Sequence, residues 1–212
     1  QRAKGIGAMN ILKKFALAIT VAFVANVANA ADNSIYIDQS GSNATVSVTQ
    51  DGAGNVVRGI QGVGSSNTTP AKIYGDGNQV SVSQIGSGNT LSLGIVTTVA
   101  NGVTNGNTYT YSVTGNNATA IINSNSNGQG TSASNRVNIS QNGNTANANI
   151  NILGSDNEYN ATTAGGNNNS IITTVNGSSN TQNITMTGGG GNSATTTQTG
   201  DKNTVSLVSV GA

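Results

Sequence analysis

Cysteine, histidine and tryptophan are absent from the 212 residues, and Pro70 is the only proline. No disulfide can staple the chain, and catalysis is left without its commonest base, the imidazole, and without a thiol nucleophile. Aromatic residues make up 3% of the chain, and both phenylalanines, Phe15 and Phe23, lie near its start. A core built from bulky side chains is therefore excluded. Two options remain: a disordered chain, or one that packs small and polar side chains by regular repetition.

The first thirty residues must be set aside before the fold is read. Met9-Asn10-Ile11-Leu12-Lys13-Lys14 is a short basic start, Phe15 to Val24 is apolar, and Ala28-Asn29-Ala30 places small residues where a signal peptidase reads. The pattern predicts a secretory signal peptide over residues 9–30, cleaved after Ala30 and too short in its apolar run to span a bilayer. Residues 1–8 would stand upstream of the initiating Met9. The remainder keeps Arg58, Lys72, Arg136 and Lys202 against all seven acidic residues, a net charge of −3. Four scattered cations give no electrostatic footprint for nucleic acid.

Repetition is what the chain does have. Glycine followed three residues later by asparagine recurs in two blocks. The first holds Gly52–Asn55, Gly64–Asn67, Gly75–Asn78 and Gly86–Asn89. The second holds Gly154–Asn157, Gly165–Asn168, Gly177–Asn180, Gly189–Asn192 and Gly200–Asn203. The asparagines are spaced by 11 or 12 residues within each block. After them, every second residue is apolar or small. Asn33 leads to Ile35, Ile37 and Gln39; Asn78 to Val80, Val82 and Gln84; Asn135 to Val137, Ile139 and Gln141; Asn192 to Ala194, Thr196 and Gln198.

Alternation with period two is a strand with one buried face. The glycine-containing gap is a tight turn. The expected fold is all-β: a β-solenoid of strand–turn–strand layers, two units per layer, stacked about 4.8 Å apart. Equivalent amides then sit above one another and can bond from layer to layer. Residues 31–93 and 135–212 carry the regular repeats. Residues 94–134 are expected to be irregular, with Asn107–Val113 and Asn117–Ile121 as strands and Asn123–Ser134 as a loop or bulged turn. One solenoid with an insert and two short solenoids both fit this pattern.

The repeats resemble curlin, the subunit of bacterial curli fibres. That family's Gln-x-Gly-x-x-Asn core stands here as Gln50–Asn55, Gln84–Asn89 and Gln198–Asn203, shifted at Gln61–Gly64 and shortened at Gln39–Asn43 and Gln141–Asn144. Glutamine is replaced at Thr163 and Thr174. The repeats start almost at the expected cleavage site, which is closer to the family's minor, nucleating subunit than to its major one. The resemblance implies an exported protein that leaves through an outer-membrane secretion pore. It implies assembly with copies of itself, or with a companion curli subunit, into amyloid-like fibres of a biofilm matrix.

Other motifs carry weaker signals. Asp156 and Glu158 are a close acidic pair, but solvated turn acids account for them better than a glycosidase pair. Asp51, Asp76 and Asp201 read the same way. Gly188 to Gly191 runs into Asn192 rather than a spaced aspartate, unlike calcium-binding β-rolls, so no metal or cofactor is expected. The Thr-x-Thr triplets at residues 108–110, 185–187 and 195–197 do not recur at the repeat period, as an ice-binding array would require. Tyr159 is expected inward and Tyr36 outward. The function expected is non-enzymatic: a self-assembling surface fibre subunit. A capped, monomeric solenoid adhesin or ice-binding surface is the alternative, and a polysaccharide-active β-helix enzyme a third reading that lacks its clustered Asp, Arg or His.

Overall fold

A computed structural model describes residues 32–62, 65–96, 106–125, 134–165, 168–188 and 191–210. The expected signal peptide with Ala30, the turn glycines Gly64 and Gly189, and most of the expected loop after Asn125 lie outside the described residues.

The described residues form a β-solenoid of seven layers, each contributing to both of two parallel sheets. The first layer is β1 (Ser34–Ile35) and β2 (Ile37–Ser40) with β3 (Thr45–Asp51). The second is β4 (Val56–Arg58) and β5 (Ala71–Tyr74) with β6 (Gln79–Ile85). The third pairs β7 (Thr90–Val96) with β8 (Thr108–Thr114), and the fourth β9 (Thr119–Asn125) with β10 (Arg136–Asn142). Then come β11 (Asn147–Leu153) with β12 (Glu158–Ala164), β13 (Ser170–Asn176) with β14 (Thr181–Thr187), and β15 (Ser193–Thr199) with β16 (Thr204–Val210). The first-named strands of the layers form one sheet, and β3, β6, β8, β10, β12, β14 and β16 form the other.

Every pair is parallel and residue-for-residue in register; Val137 lies between Tyr109 and Tyr159, and Ile150 between Ile122 and Thr173. A period-two pattern cannot slip by one residue without turning its buried set to solvent, so the alternation fixes this register. The core is a thin seam of Val, Ile, Leu and Ala from both sheets with Tyr109, Tyr111 and Tyr159 fully buried. Tyr159 is inward as expected, and Tyr36 is half-buried in the first layer. The segment expected to be irregular contributes β8 and β9 at full length. Asn123–Asn125, expected to open a loop, instead complete β9, because Ile122 and Ser124 continue its inward alternation.

The Gly64–Asn67 unit is a correction. Stacked asparagines are 22 residues apart from Asn33 to Asn55 but 34 apart from Asn55 to Asn89. The extra residues are 59–70, which leave the sheet between β4 and β5 and return to it. The base of this excursion is closed by the Gly59 N–H donating to the Thr69 carbonyl at 2.7 Å. Tyr36 spans the gap from the first layer, its N–H on the Val57 carbonyl and its own carbonyl receiving the Ala71 N–H. Asn67 is therefore exposed, and it accepts a hydrogen bond from Arg58 rather than standing in a column. Ile60 folds over Gly94 on the outer face of β7, where a Cβ on Gly94 would crowd the Ile60 side chain.

Candidate assembly interface

The repeat's asparagine does a defined job. Asn135 donates from Nδ2 to the Gly154 carbonyl at 2.9 Å and accepts at Oδ1 from the Asn157 N–H at 3.0 Å. Gly154 and Asn157 belong to the following layer and are three residues apart. One side-chain amide in one layer thus clips both ends of the turn in the next. Asn33 does this to Gly52 and Asn55, Asn55 to Gly86 and Asn89, Asn89 to Gly115 and Ala118, and Asn157 to Gly177 and Asn180. The Gly-x-x-Asn spacing is the span of this clip. Each clip satisfies a backbone donor and acceptor that the turn would otherwise leave unpaired.

Sequence reasoning expected amide-to-amide ladders. Asparagine does bond along its column, as from Asn157 Nδ2 to Asn135 Oδ1 at 3.1 Å and from Asn180 Nδ2 to Asn157 Oδ1 at 3.1 Å. The column Asn78, Asn107, Asn135, Asn157, Asn180, Asn203 is unbroken over six layers. Asn107 was read only as the start of a strand, although it stands two residues before Tyr109, as Asn157 stands before Tyr159. In the other sheet the column is interrupted by Ala118 and Ala146, and Asn169 rather than Asn168 takes the position. Asn168 is exposed with φ of 65°, in a connection that, like the one between β14 and β15, is one residue longer than the four-residue turns. Asn192 is buried in that same column.

Glutamines do not form a continuous ladder. Gln50 donates to Gln84 at 2.8 Å, and Val113 then ends the run. Gln141 is buried and accepts from the Tyr111 hydroxyl at 2.9 Å. Gln39 and Gln198 occupy inward positions in the first and last layers of the other sheet.

The turn glycines stack as closely as the strands. Gly52, Gly75, Gly86, Gly154, Gly177 and Gly200 all have φ between 94° and 133°, a region closed to most side chains. At Gly86 a Cβ would overlap the carbonyl oxygen of Gly115 in the next layer, and at Gly154 that of Gly177. Gly165 stands apart: its φ is 63° and a Cβ would meet open space. The residue after the glycine adds a second contact when it is acidic or an asparagine. Asp76 accepts from the Ser42 N–H, Asp201 from the Ser178 N–H, and Asn116 from the Ser87 N–H. Asp76 and Asp201, read from sequence as solvated turn acids, thus tie neighbouring layers.

Several buried hydroxyls, those of Tyr109, Tyr159, Ser124 and Thr163, have no hydrogen-bond partner among the described residues. Burial raises Tyr109 and Tyr111 far above the usual phenol range and pushes Tyr159 up to about 12. The Tyr109 hydroxyl lies near Ser124 without closing a hydrogen bond.

The two ends of the stack repeat its interior. Among the described residues, β16 pairs only with β14 and β3 only with β6, so each end leaves a strand edge open. An open edge of this length is a template for a further strand. No protein-family model, curated protein or solved structure matches the chain.

Proposed function

We propose that the chain is a structural subunit that stacks end to end into curli-like, amyloid-type fibres at the cell surface after export. Its partner in this reading is another copy of itself, with a secretion pore and a companion subunit implied by the curlin resemblance. The observation that carries the proposal is the pair of open, in-register edges at the two ends of a solenoid whose layers are joined by an unbroken register and a repeated asparagine contact. A further layer added at either end meets the same turn spacing and the same inward alternation. The parallel stacking is itself cross-β geometry, with strands perpendicular to the axis of growth.

Dilution of the purified chain from denaturant, followed by thioflavin fluorescence and electron microscopy, tests this. Fibres with a cross-β signature support the assembly role. A β-rich monomer that persists for days at high concentration removes it. The solenoid would then act through its outer faces, as an adhesin or an ordered hydroxyl surface.

A further inference from the structure

The two ends of the stack are chemically different, because the asparagine clip has a direction. In every case Oδ1 receives the N–H of the next layer along the chain, although Nδ2 of Asn107, Asn157 and Asn180 also donates back to the asparagine of the preceding layer. Layer seven therefore carries asparagines with no following layer to hold, although an unpartnered amide is not confined to it, since both amide atoms of Asn169 in layer six also lack a partner among the described residues. Asn192 Oδ1 is buried and unpartnered. Asn203 rests its Nδ2 on the Thr199 carbonyl at 3.1 Å, and its Oδ1 has no partner among the described residues. This is a loaded position: Asn55 makes the same contact to Asp51 at 3.5 Å while donating to Gly86 of the next layer at 2.8 Å. Gln198 Oε1 is buried and unpartnered as well.

Layer one offers the complement. Gly41 and Ala44 are the three-residue turn span that a clip holds, and Gly41 has the φ of 130° typical of a stacked turn glycine. Gln39 Nε2 is a buried donor without a partner. Continuing the observed register across a junction places Val205 beneath Val46, Leu207 beneath Val48, Ala194 beneath Ile35 and Gln198 beneath Gln39. The orphaned donor of Gln39 then faces the orphaned acceptor of Gln198. Their union is a rung like the one that Gln50 and Gln84 make inside the molecule.

We propose that the layer of β15 and β16 is the growing end, and that it captures the β1–β3 layer of an incoming second copy of this chain. This rests on the assembly reading above and adds its polarity and its contacts. Capture at this end asks little of the newcomer. The folded end already holds Asn192, Asn203 and Gln198 in place, and the arriving segment supplies backbone groups and Gln39. Growth at the other end would require the newcomer to order its last layer, amides included, before any clip could close.

The test uses two chain terminators in seeded elongation. The Thr181 N–H points to layer seven, so in β16 the N–H groups of the equivalent Thr204 and of Ser206 and Val208 point away from the molecule. Ser206→Pro with Val208→Pro removes outward donors at an edge where proline is tolerated. Ala44→Pro with Val46→Pro blocks the opposite face.

The expected result is that substoichiometric Ser206→Pro/Val208→Pro chain adds to seeds, is retained on them, and cuts parent elongation several-fold. The Ala44→Pro/Val46→Pro chain leaves elongation unchanged. Equal poisoning by both, or poisoning by the Ala44→Pro/Val46→Pro chain alone, overturns the polarity while leaving assembly intact. Gln39→Glu is the second test, since it sets a buried acceptor against the Gln198 acceptor. It slows elongation, and Gln198→Lys in the same chain restores the rate. These residues stand in the first and last layers of one chain, so rescue reports contact between copies; no rescue overturns the junction. A parent chain that forms no fibres overturns the assembly reading and this inference together.

Discussion

The amide nitrogen of Asn135 and the carbonyl oxygen of Gly154 are 2.9 Å apart across two layers of the solenoid, 19 residues apart in the chain. With the Asn157 N–H on the same side chain, that contact closes a turn the chain has not yet reached when Asn135 is laid down. Asn135→Ala strands both backbone groups in a buried site and should cost about 2–3 kcal/mol, judged by the penalty for unsatisfied buried groups. Asn67→Ala, in the same Gly-x-x-Asn motif but exposed in the excursion, should stay within about 0.5 kcal/mol of the parent. Denaturant titration of the two variants checks the contrast.

Gly86→Ala places a methyl group against the Gly115 carbonyl at a φ of 114°. Backbone strain of this kind costs about 1–3 kcal/mol, and the steric clash adds to it. Gly165→Ala has the left-handed φ but no clash, and should lose only about 1 kcal/mol. Comparable losses at the two glycines, measured by chemical denaturation, would sink the close-stacking account.

Alkali should dissolve the fold through its buried phenols. The Tyr159 hydroxyl is pushed up to about 12 from an ordinary value of 10.0, and those of Tyr109 and Tyr111 higher still, chiefly by desolvation. A phenol held neutral in the native state stabilises the fold fully below its unfolded pKa. That contribution is lost as pH rises from about 10 through the folded value. Phenolate absorbance from these residues should therefore appear together with loss of the β-sheet circular dichroism signal. Full ionisation of all the tyrosines with the sheet signal intact would contradict this burial.

Deleting residues 59–70 should leave the solenoid standing. Arg58 joined to Ala71 makes β4 and β5 one strand in which Val57, Ala71 and Ile73 face inward and Arg58 and Lys72 outward, matching the register of their neighbours. Unchanged or higher thermal stability is expected, with the same sheet content by circular dichroism. Collapse of the fold on deletion would show the excursion to be a structural layer after all.

These twelve residues also show what the sequence could and could not reveal. The insert has the length of one repeat unit, so Gly64 and Asn67 fell on the expected spacing, and Thr69, Ala71 and Ile73 even alternate as a strand should. Only joining Val57 to Ala71 across the insert gives a fully apolar face, and that choice depends on neighbours in the stack. At Asn167-Asn168-Asn169 a signal was present: counting back two residues from the inward Ile171 selects Asn169. The strands themselves were legible because alternation is a local property. The clip was not, since its partners lie 19 to 34 residues downstream and are backbone atoms common to every residue. Nor could composition show that Val113 breaks the glutamine run.

The excursion at residues 59–70 occurs once in seven layers. In the proposed stack it would project from one side of the fibre every seven strand spacings, roughly 34 Å at about 4.8 Å each. The cross-β filament would thereby carry a ruler. Each subunit would be marked along the axis by a surface loop whose base, between Gly59 and Thr69, is already closed and whose sequence the core does not constrain.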